Sequence, residues 1–448
     1  MDKFVINGGR PLQGDIYISG AKNSVVALLP ATLLLDVPVI IENVPDIKDV
    51  EICMTILRHL GADIQPVGPG AYRIDCAAVK DHAVPERQAR AMRASYYFLG
   101  ALLGRCRRGI AAMPGGCHIG ERPIDQHLLA FEALGAKVHL PMRYNEKGEQ
   151  EVDAVELTCN DLVGDKEIVF NVVSVGATMN GILAAVKAKG TTVLVNCARE
   201  PHIVDLANFL MFRGARIKGA GTSKIIIEGV ERLDGGIIPG SDEIRTYPVV
   251  PDQIEAGTYM VAAAATRGDL RIHGVIPQHL KVISDKLTEI GVTVEEVEDK
   301  DDVYIHVYTE PGKRFRATNI RTEPYPGFPT DMQPQLAALL VLSNGQSNIN
   351  EQIWEDRFRY AAELAKMGAN INTTRDGAIV FGVDKLHGAN VNACDLRAGA
   401  AMIIAGLTAE GRTEIAEIGY IERGYEHIVD KLRAVGADIS RQTFPDEA

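Results

Sequence analysis

No run of about 18 uninterrupted apolar residues occurs in the chain, so a membrane-spanning helix is not expected. The opening residues, MDKFVINGGRPLQGDIYISGAKNS, lack the long apolar stretch of a secretory leader, and no leader is expected. There is no GxxxxGK followed by Ser or Thr, and no GxGxxG opening a helix after a strand. Neither a nucleoside triphosphate nor a dinucleotide cofactor is therefore indicated. Cysteine is sparse: Cys53, Cys76, Cys106, Cys117, Cys159, Cys197 and Cys394 are scattered, odd in number and form no CxxC pair. That argues against a disulfide framework and a structural zinc site, and a reducing cytoplasm suits it best. Metal-ligand spacing is absent elsewhere, so no metal and no other cofactor is expected. Basic residues are in deficit, 47 Lys and Arg against 59 Asp and Glu, for a formal charge of -12. Such a surface repels nucleic acid and anionic membranes, so neither is expected as a partner. An anionic ligand must instead meet a local cluster of cations.

What is present is ordinary for a folded protein: 46% hydrophobic and 24% charged residues over 448 positions, enough for two or three domains. The strongest architectural signal is repetition. A helix end, a glycine and an alternating strand recur as ILRHLGADIQPV, AFEALGAKVHL, NFLMFRGARIKGA, KLTEIGVTVEEV, ELAKMGANINTT and KLRAVGADISRQ. The glycines are Gly61, Gly135, Gly214, Gly291, Gly368 and Gly436, spaced 74, 79, 77, 77 and 68 residues apart. Glycine after a helix reads as a left-handed C-terminal cap. Ahead of each phrase lies a helix rich in small residues with a polar or charged start, near Lys22, Arg93, Ser174, Asp252, Asp331 and Asp395. These helices are apolar nearly all round and should be buried.

Six such units divide as three plus three, giving an α/β protein of two halves, each with its own core. The Gly- and Pro-rich stretch 232–251 marks the expected connection between them. Residues 22–249 are expected to form the first domain. Residues 1–21 with 250–448 form the second, the opening strand pair closing its sheet. The polar stretch 141–154 reads as a surface insertion.

Six helix N-termini brought together would favour anions, and Lys22, Arg93 and Arg397 stand at such starts. Taken singly, each reads better as a solvated surface charge, and it is their recurrence at the same point of the repeat that shifts the balance toward an anion site. In MPGGCHIGERPIDQH, the glycines make a loop around Cys117, with His118 adjacent and Arg122 close. Cys117 is either a packed apolar cysteine or a thiol whose pKa is lowered by neighbouring cations. In TEPYPGFPTDMQPQ, three prolines precede Asp331, which reads as an N-cap carboxylate that is also able to accept a proton. Arg357 and Arg423 read as helix salt-bridge partners or as further site cations.

Taken together, SGAKNS, MRAS, GGCHIGERPID, SVGAT, REPHIVD, FPTDMQ, EDRF, DLRAGA and RGYEHI resemble, in order and over nearly the whole chain, the UDP-N-acetylglucosamine enolpyruvyl transferases of the EPSP synthase superfamily. The resemblance implies two inside-out α/β barrel domains, each of three βαβαββ-type units. It implies transfer of the enolpyruvyl group of phosphoenolpyruvate to the 3-hydroxyl of UDP-N-acetylglucosamine, with release of phosphate. It implies that Lys22, Arg122 and Arg423 bind phosphoenolpyruvate, with Arg397 close by. Cys117 matches the loop cysteine alkylated by fosfomycin, a covalent inhibitor. Asp331 matches the residue facing the sugar hydroxyl. Asn23, Arg93, Arg122, Pro123, Ile124, Asp125, Ser174, Val175, Gly176 and Ile353 match nucleotide-sugar contacts, and Arg357 a further site arginine. The catalytic set so implied is Cys117, Lys22, Asp331 and Arg397. Three positions depart from the family's usual residues: Asp356 for Asn, Gly399 for Ser, and Val172 where some members carry Lys. Within the same fold, the shikimate-pathway transferase is the nearest alternative.

Overall fold

All six recurring glycines take φ values between 96° and 107°, at or just after the end of a helix. An L side chain is disfavoured in that region, which is why glycine recurs there. The computed structural model describes residues 1–114, 123–145, 148–235, 244–299, 302–310 and 312–445. The chain divides into two compact units. One holds Met1–Ser19 and the described residues from Pro251 onward. The other holds the described residues between Gly20 and Val250.

The third repeat displays the plan in full. Strand Lys166–Val169 leads into the buried helix Val175–Ala185 and strand Thr191–Val195. The second helix Pro201–Phe212 then feeds the hairpin Arg216–Lys218 and Lys224–Glu228. The first two strands pair in parallel, and the rest of the sheet is antiparallel. This is a βαβαββ unit, as expected from the family resemblance. The second repeat keeps only a single parallel bridge, Ala83 to Ile110, in place of its first strand.

Two sheets draw strands from distant parts of the chain. Thr246–Pro248 pairs in parallel with Val39–Glu42 of the first repeat. The N-terminal strand Gln13–Tyr17 pairs in parallel with Asp269–His273 of the fourth. In the sixth, Asp2–Asn7 sits between Arg412–Ala416 and Asp438–Thr443, antiparallel to both. The chain terminus thereby completes a sheet whose other strands come from the end of the sequence.

Each unit buries three helices inside its ring of sheets. In the unit of Gly20 to Val250 they are Lys22–Ala31, Tyr97–Cys106 and Val175–Ala185. In the other unit they are Gln253–Ala265, Gln333–Leu340 and Leu396–Thr408. Small residues let these helices approach closely. A Cβ on Gly100 would lie 2.5 Å from Asn180 Oδ1 and 2.9 Å from its carbonyl oxygen. Burying leucines such as Leu99 and Leu183 supplies about 2 kcal/mol each. Just past the far ends of the first and third of these helices, arginines satisfy backbone carbonyls. Arg105 donates to Leu33 O at 3.0 Å, and Arg107 donates to Lys187 O at 3.2 Å. Among the described residues, no helix is long and apolar enough to cross a membrane. The 141–154 stretch carries an exposed hairpin of Met142–Tyr144 and Gln150–Val152.

Candidate active site

In the unit of Gly20 to Val250, Lys22 is the first residue of its buried helix, and its Nζ lies 3.0 Å from Asp49 Oδ2. Asn23 follows it, half-buried. Two residues on, Ser24 donates to Asp205, whose other oxygen accepts from Tyr247 Oη at 2.6 Å. Burial pushes the Asp205 carboxyl up. Arg93 opens the short 3-10 turn Arg93–Tyr96 ahead of helix Tyr97–Cys106, and burial lowers its pKa.

Ser174 caps helix Val175–Ala185 by accepting from Ala177 N at 3.3 Å, which sets Val175 and Gly176 in its first turn. Gly176 faces His127 so closely that a Cβ would lie 2.7 Å from Cε1. His127 is buried, and burial followed by the Arg93 charge lowers its pKa to about 3. The neutral ring has its Nδ1 2.8 Å from Asn180 Nδ2, while Asn180 Oδ1 accepts from Gly100 N. The amide is thereby oriented to donate, so the imidazole proton resides on Nε2. Pro123 is exposed and Ile124 half-buried, and Asp125 begins helix Asp125–Ala133. Val172, in place of lysine, is 58% exposed and brings no charge there. Cys117 and Arg122 lie outside the described residues.

In the other unit, Asp331 is clasped by two guanidinium groups. Its Oδ1 accepts from Arg357 Nη2 at 3.1 Å and its Oδ2 from Arg397 Nη2 at 3.0 Å. The arginine side chains are 3% and 4% exposed, whereas Asp331 is 29% exposed. Arg357 also faces Asp395 at 3.9 Å, and Arg397 lies over the Tyr425 ring, 5.5 Å from its centroid. Burial opposes the Arg397 charge, but Asp331, Tyr425 and Asp252 together outweigh it and the pKa is raised. Asp395 caps helix Leu396–Thr408 through Arg397 N and Ala398 N, which fixes where Arg397 emerges. Arg423 ends the 3-10 segment Ile418–Arg423 and is half-buried.

Two readings from sequence need correction. Asp331 is not an N-cap carboxylate: it lies inside the 3-10 turn Thr330–Met332, and the helix begins at Gln333 with no side-chain cap. Arg357 is not an ordinary helix-surface ion pair, since it is buried and spans Asp331 and Asp395. Residues that motif reading missed act as supports. Glu351, 3% exposed, accepts from Thr322 Oγ1, Thr330 Oγ1 and the Ile353 and Trp354 N–H groups. It ties the loop before Asp331 to the segment carrying Ile353. Its only sequence signal is proximity to the EDRF motif.

Comparison with known proteins settles the lineage. The family model described as EPSP synthase (3-phosphoshikimate 1-carboxyvinyltransferase) matches residues 6–432. The chain belongs to the EPSP synthase family. Among curated members of this family, it is 53% identical to UDP-N-acetylglucosamine 1-carboxyvinyltransferase 3 of Caldanaerobacter subterraneus subsp. tengcongensis, over 98% of this chain and 99% of that one. It is 49% identical to UDP-N-acetylglucosamine 1-carboxyvinyltransferase of Clostridium botulinum, over 98% of this chain and all of that one. The crystal structure of the enolpyruvyl transferase NikO from Streptomyces tendae matches with a TM-score of 0.84 at 27% identity, covering 99% of both chains. EPSP synthase from Acinetobacter baumannii shares the fold at a TM-score of 0.71 and 18% identity, over 99% of this chain and 100% of that one.

Proposed function

We infer that the chain is an enolpyruvyl transferase that moves the enolpyruvyl group of phosphoenolpyruvate onto the 3-hydroxyl of UDP-N-acetylglucosamine and releases inorganic phosphate. This is the first committed step of peptidoglycan precursor synthesis, a cytoplasmic reaction. The observation that carries the reading is identity of 45–53%, over nearly full length, to relatives named for this activity.

The chemistry asks for cations, an acid and a base. The sugar hydroxyl adds to C2 of phosphoenolpyruvate while C3 gains a proton, giving a tetrahedral ketal. Phosphate then leaves and C3 gives up a proton, restoring the double bond. Lys22, Arg122, Arg397 and Arg423 are assigned to the phosphate and carboxylate charges. Asn23, Arg93, Arg122, Pro123, Ile124, Asp125, Ser174, Val175, Gly176 and Ile353 are assigned to the nucleotide sugar, and Arg357 to the substrate site as a further arginine. Asp331 is assigned to the hydroxyl proton, and Cys117 to proton transfer or product release. The clasp on Asp331 supports a coupling of binding to chemistry. A substrate anion that takes Arg397 releases the Asp331 Oδ2 that this arginine holds, turning it toward the acceptor hydroxyl. Fosfomycin, an epoxide resembling phosphoenolpyruvate, is assigned as a covalent inhibitor at Cys117.

Phosphate release with phosphoenolpyruvate and UDP-N-acetylglucosamine tests the reading, run beside shikimate 3-phosphate as the alternative acceptor. Release with the nucleotide sugar alone is expected. Release with shikimate 3-phosphate instead assigns the other reaction of the family. Release with neither, despite binding of the nucleotide sugar, makes the chain a silent homologue.

A further inference from the structure

Lys22 occupies a position that is electrostatically awkward. It opens helix Lys22–Ala31, where the aligned peptide dipoles present partial positive charge. No side chain of the preceding residue, Ala21, caps that end. An ammonium there needs a compensating carboxylate, and Asp49 supplies one. Its Oδ2 is 3.0 Å from Lys22 Nζ, and the two side chains are 2% and 16% exposed. Asp49 lies in the first turn of helix Lys48–Leu60, the end at which a carboxylate is stabilised. Cys53, one turn further along the same helix, is fully buried, and burial holds its thiol pKa well above the ordinary value. The Asp49 carboxylate is thus buried, and a buried carboxylate persists only with a partner.

A lysine head group sits on a flexible four-carbon stem, and a close charged partner fixes it. We propose that Asp49 is a positioning residue for Lys22, holding the ammonium at the mouth of its helix so that its other N–H bonds meet the phosphate of phosphoenolpyruvate. The inference rests on the assignment of Lys22 to that substrate. Asp49 itself does not touch substrate in this account, and no motif singled it out.

The test compares Asp49→Ala and Asp49→Asn, each alone and combined with Lys22→Gln, with kcat, KM for each substrate and Tm measured. Asp49→Ala is expected to raise the phosphoenolpyruvate KM by about tenfold to a hundredfold while the UDP-N-acetylglucosamine KM stays within about twofold. Asp49→Asn keeps an acceptor in place and is expected to show a smaller rise, which also covers the case in which Asp49→Ala does not fold. Added to Lys22→Gln, the Asp49 substitutions are expected to change nothing further. Equal rises in both KM values with a fallen Tm, or an undiminished Asp49 effect in Lys22→Gln, assign a structural role and overturn the proposal. Parental kinetics in both Asp49 variants overturn it as well. Parental kinetics in Lys22→Gln overturn it together with the assignment of Lys22, while phosphate release by the parent still stands for the reaction itself.

Discussion

Arg397 Nη2 meets Asp331 Oδ2 at 3.0 Å, and the exposures of the two side chains are unequal: 4% for the arginine and 29% for the aspartate. The inequality predicts an asymmetric response to mutation. Asp331→Ala strips the carboxylate from two buried guanidinium groups and is expected to cost about 3–5 kcal/mol. Arg397→Met leaves a part-exposed carboxylate that still has Arg357, and is expected to cost about 1–2 kcal/mol. Urea unfolding of the two variants checks the order, and the reverse order would refute the ion-triad account. Asp331→Asn keeps the shape but not the base, and is expected to lower phosphate release by about a hundredfold or more.

Gly176 and His127 give a second prediction. A Cβ at position 176 would lie 2.7 Å and 2.8 Å from two atoms of a ring already tied to Asn180. Gly176→Ala is therefore expected to cost about 1–3 kcal/mol. It is also expected to raise the KM for UDP-N-acetylglucosamine more than that for phosphoenolpyruvate. The smaller side chain of His127→Ala should relieve the clash, so the double variant is expected to recover stability relative to the sum of the singles. Strict additivity in thermal melts would show that the ring yields freely.

Glu255 carries a pH prediction. Its side chain is buried between Lys431 Nζ at 2.7 Å and the Ser19 N–H at 2.8 Å. Burial outweighs both and pushes its pKa up from 4.5 to about 7. A raised carboxyl pKa means that the folded state keeps a proton the unfolded chain has lost. Stability therefore falls as pH rises from about 4.5 to about 7, by an amount on the order of 2 kcal/mol. Denaturant midpoints of the parent and of Glu255→Gln across that window test this. The variant should lose the decline, and parallel curves would remove Glu255 as its source.

Fosfomycin selectivity follows from the other thiols. Burial raises the pKa of all six described cysteines, to about 11 at Cys76 and about 12 at Cys197. A protonated buried thiol is a poor nucleophile. Peptide mass mapping after treatment is expected to find the adduct at Cys117 alone. Cys117→Asp keeps an acid and loses the sulfur, so it should resist the epoxide and still release phosphate, with Cys117→Ala more impaired. An adduct on any of the six would point to a different reactive site.

Some of this molecule was legible without coordinates, because its signals are local. The phrase of helix end, glycine and strand needs only a left-handed residue and a period-two pattern, and all six copies fold that way. The burial of the small-residue helices is likewise written in their composition. Lys22, Asp331 and Arg397 stood out by motif. The pairing of Asp331 with Arg397 and Arg357 was not legible, because Asp331 and Arg397 are 66 residues apart and Asp331 and Arg357 are 26 apart. Nothing local announces Asp49 as the partner of Lys22, or Glu351 as the anchor of the Asp331 loop. The reading of Asp331 as a cap failed for a related reason: a 3-10 turn moved the helix start to Gln333. Propensity and periodicity act over one or two turns of chain and are carried by composition. Ion pairing acts across a few ångströms of space, and which residues come that close is decided only when the helices and sheets have packed.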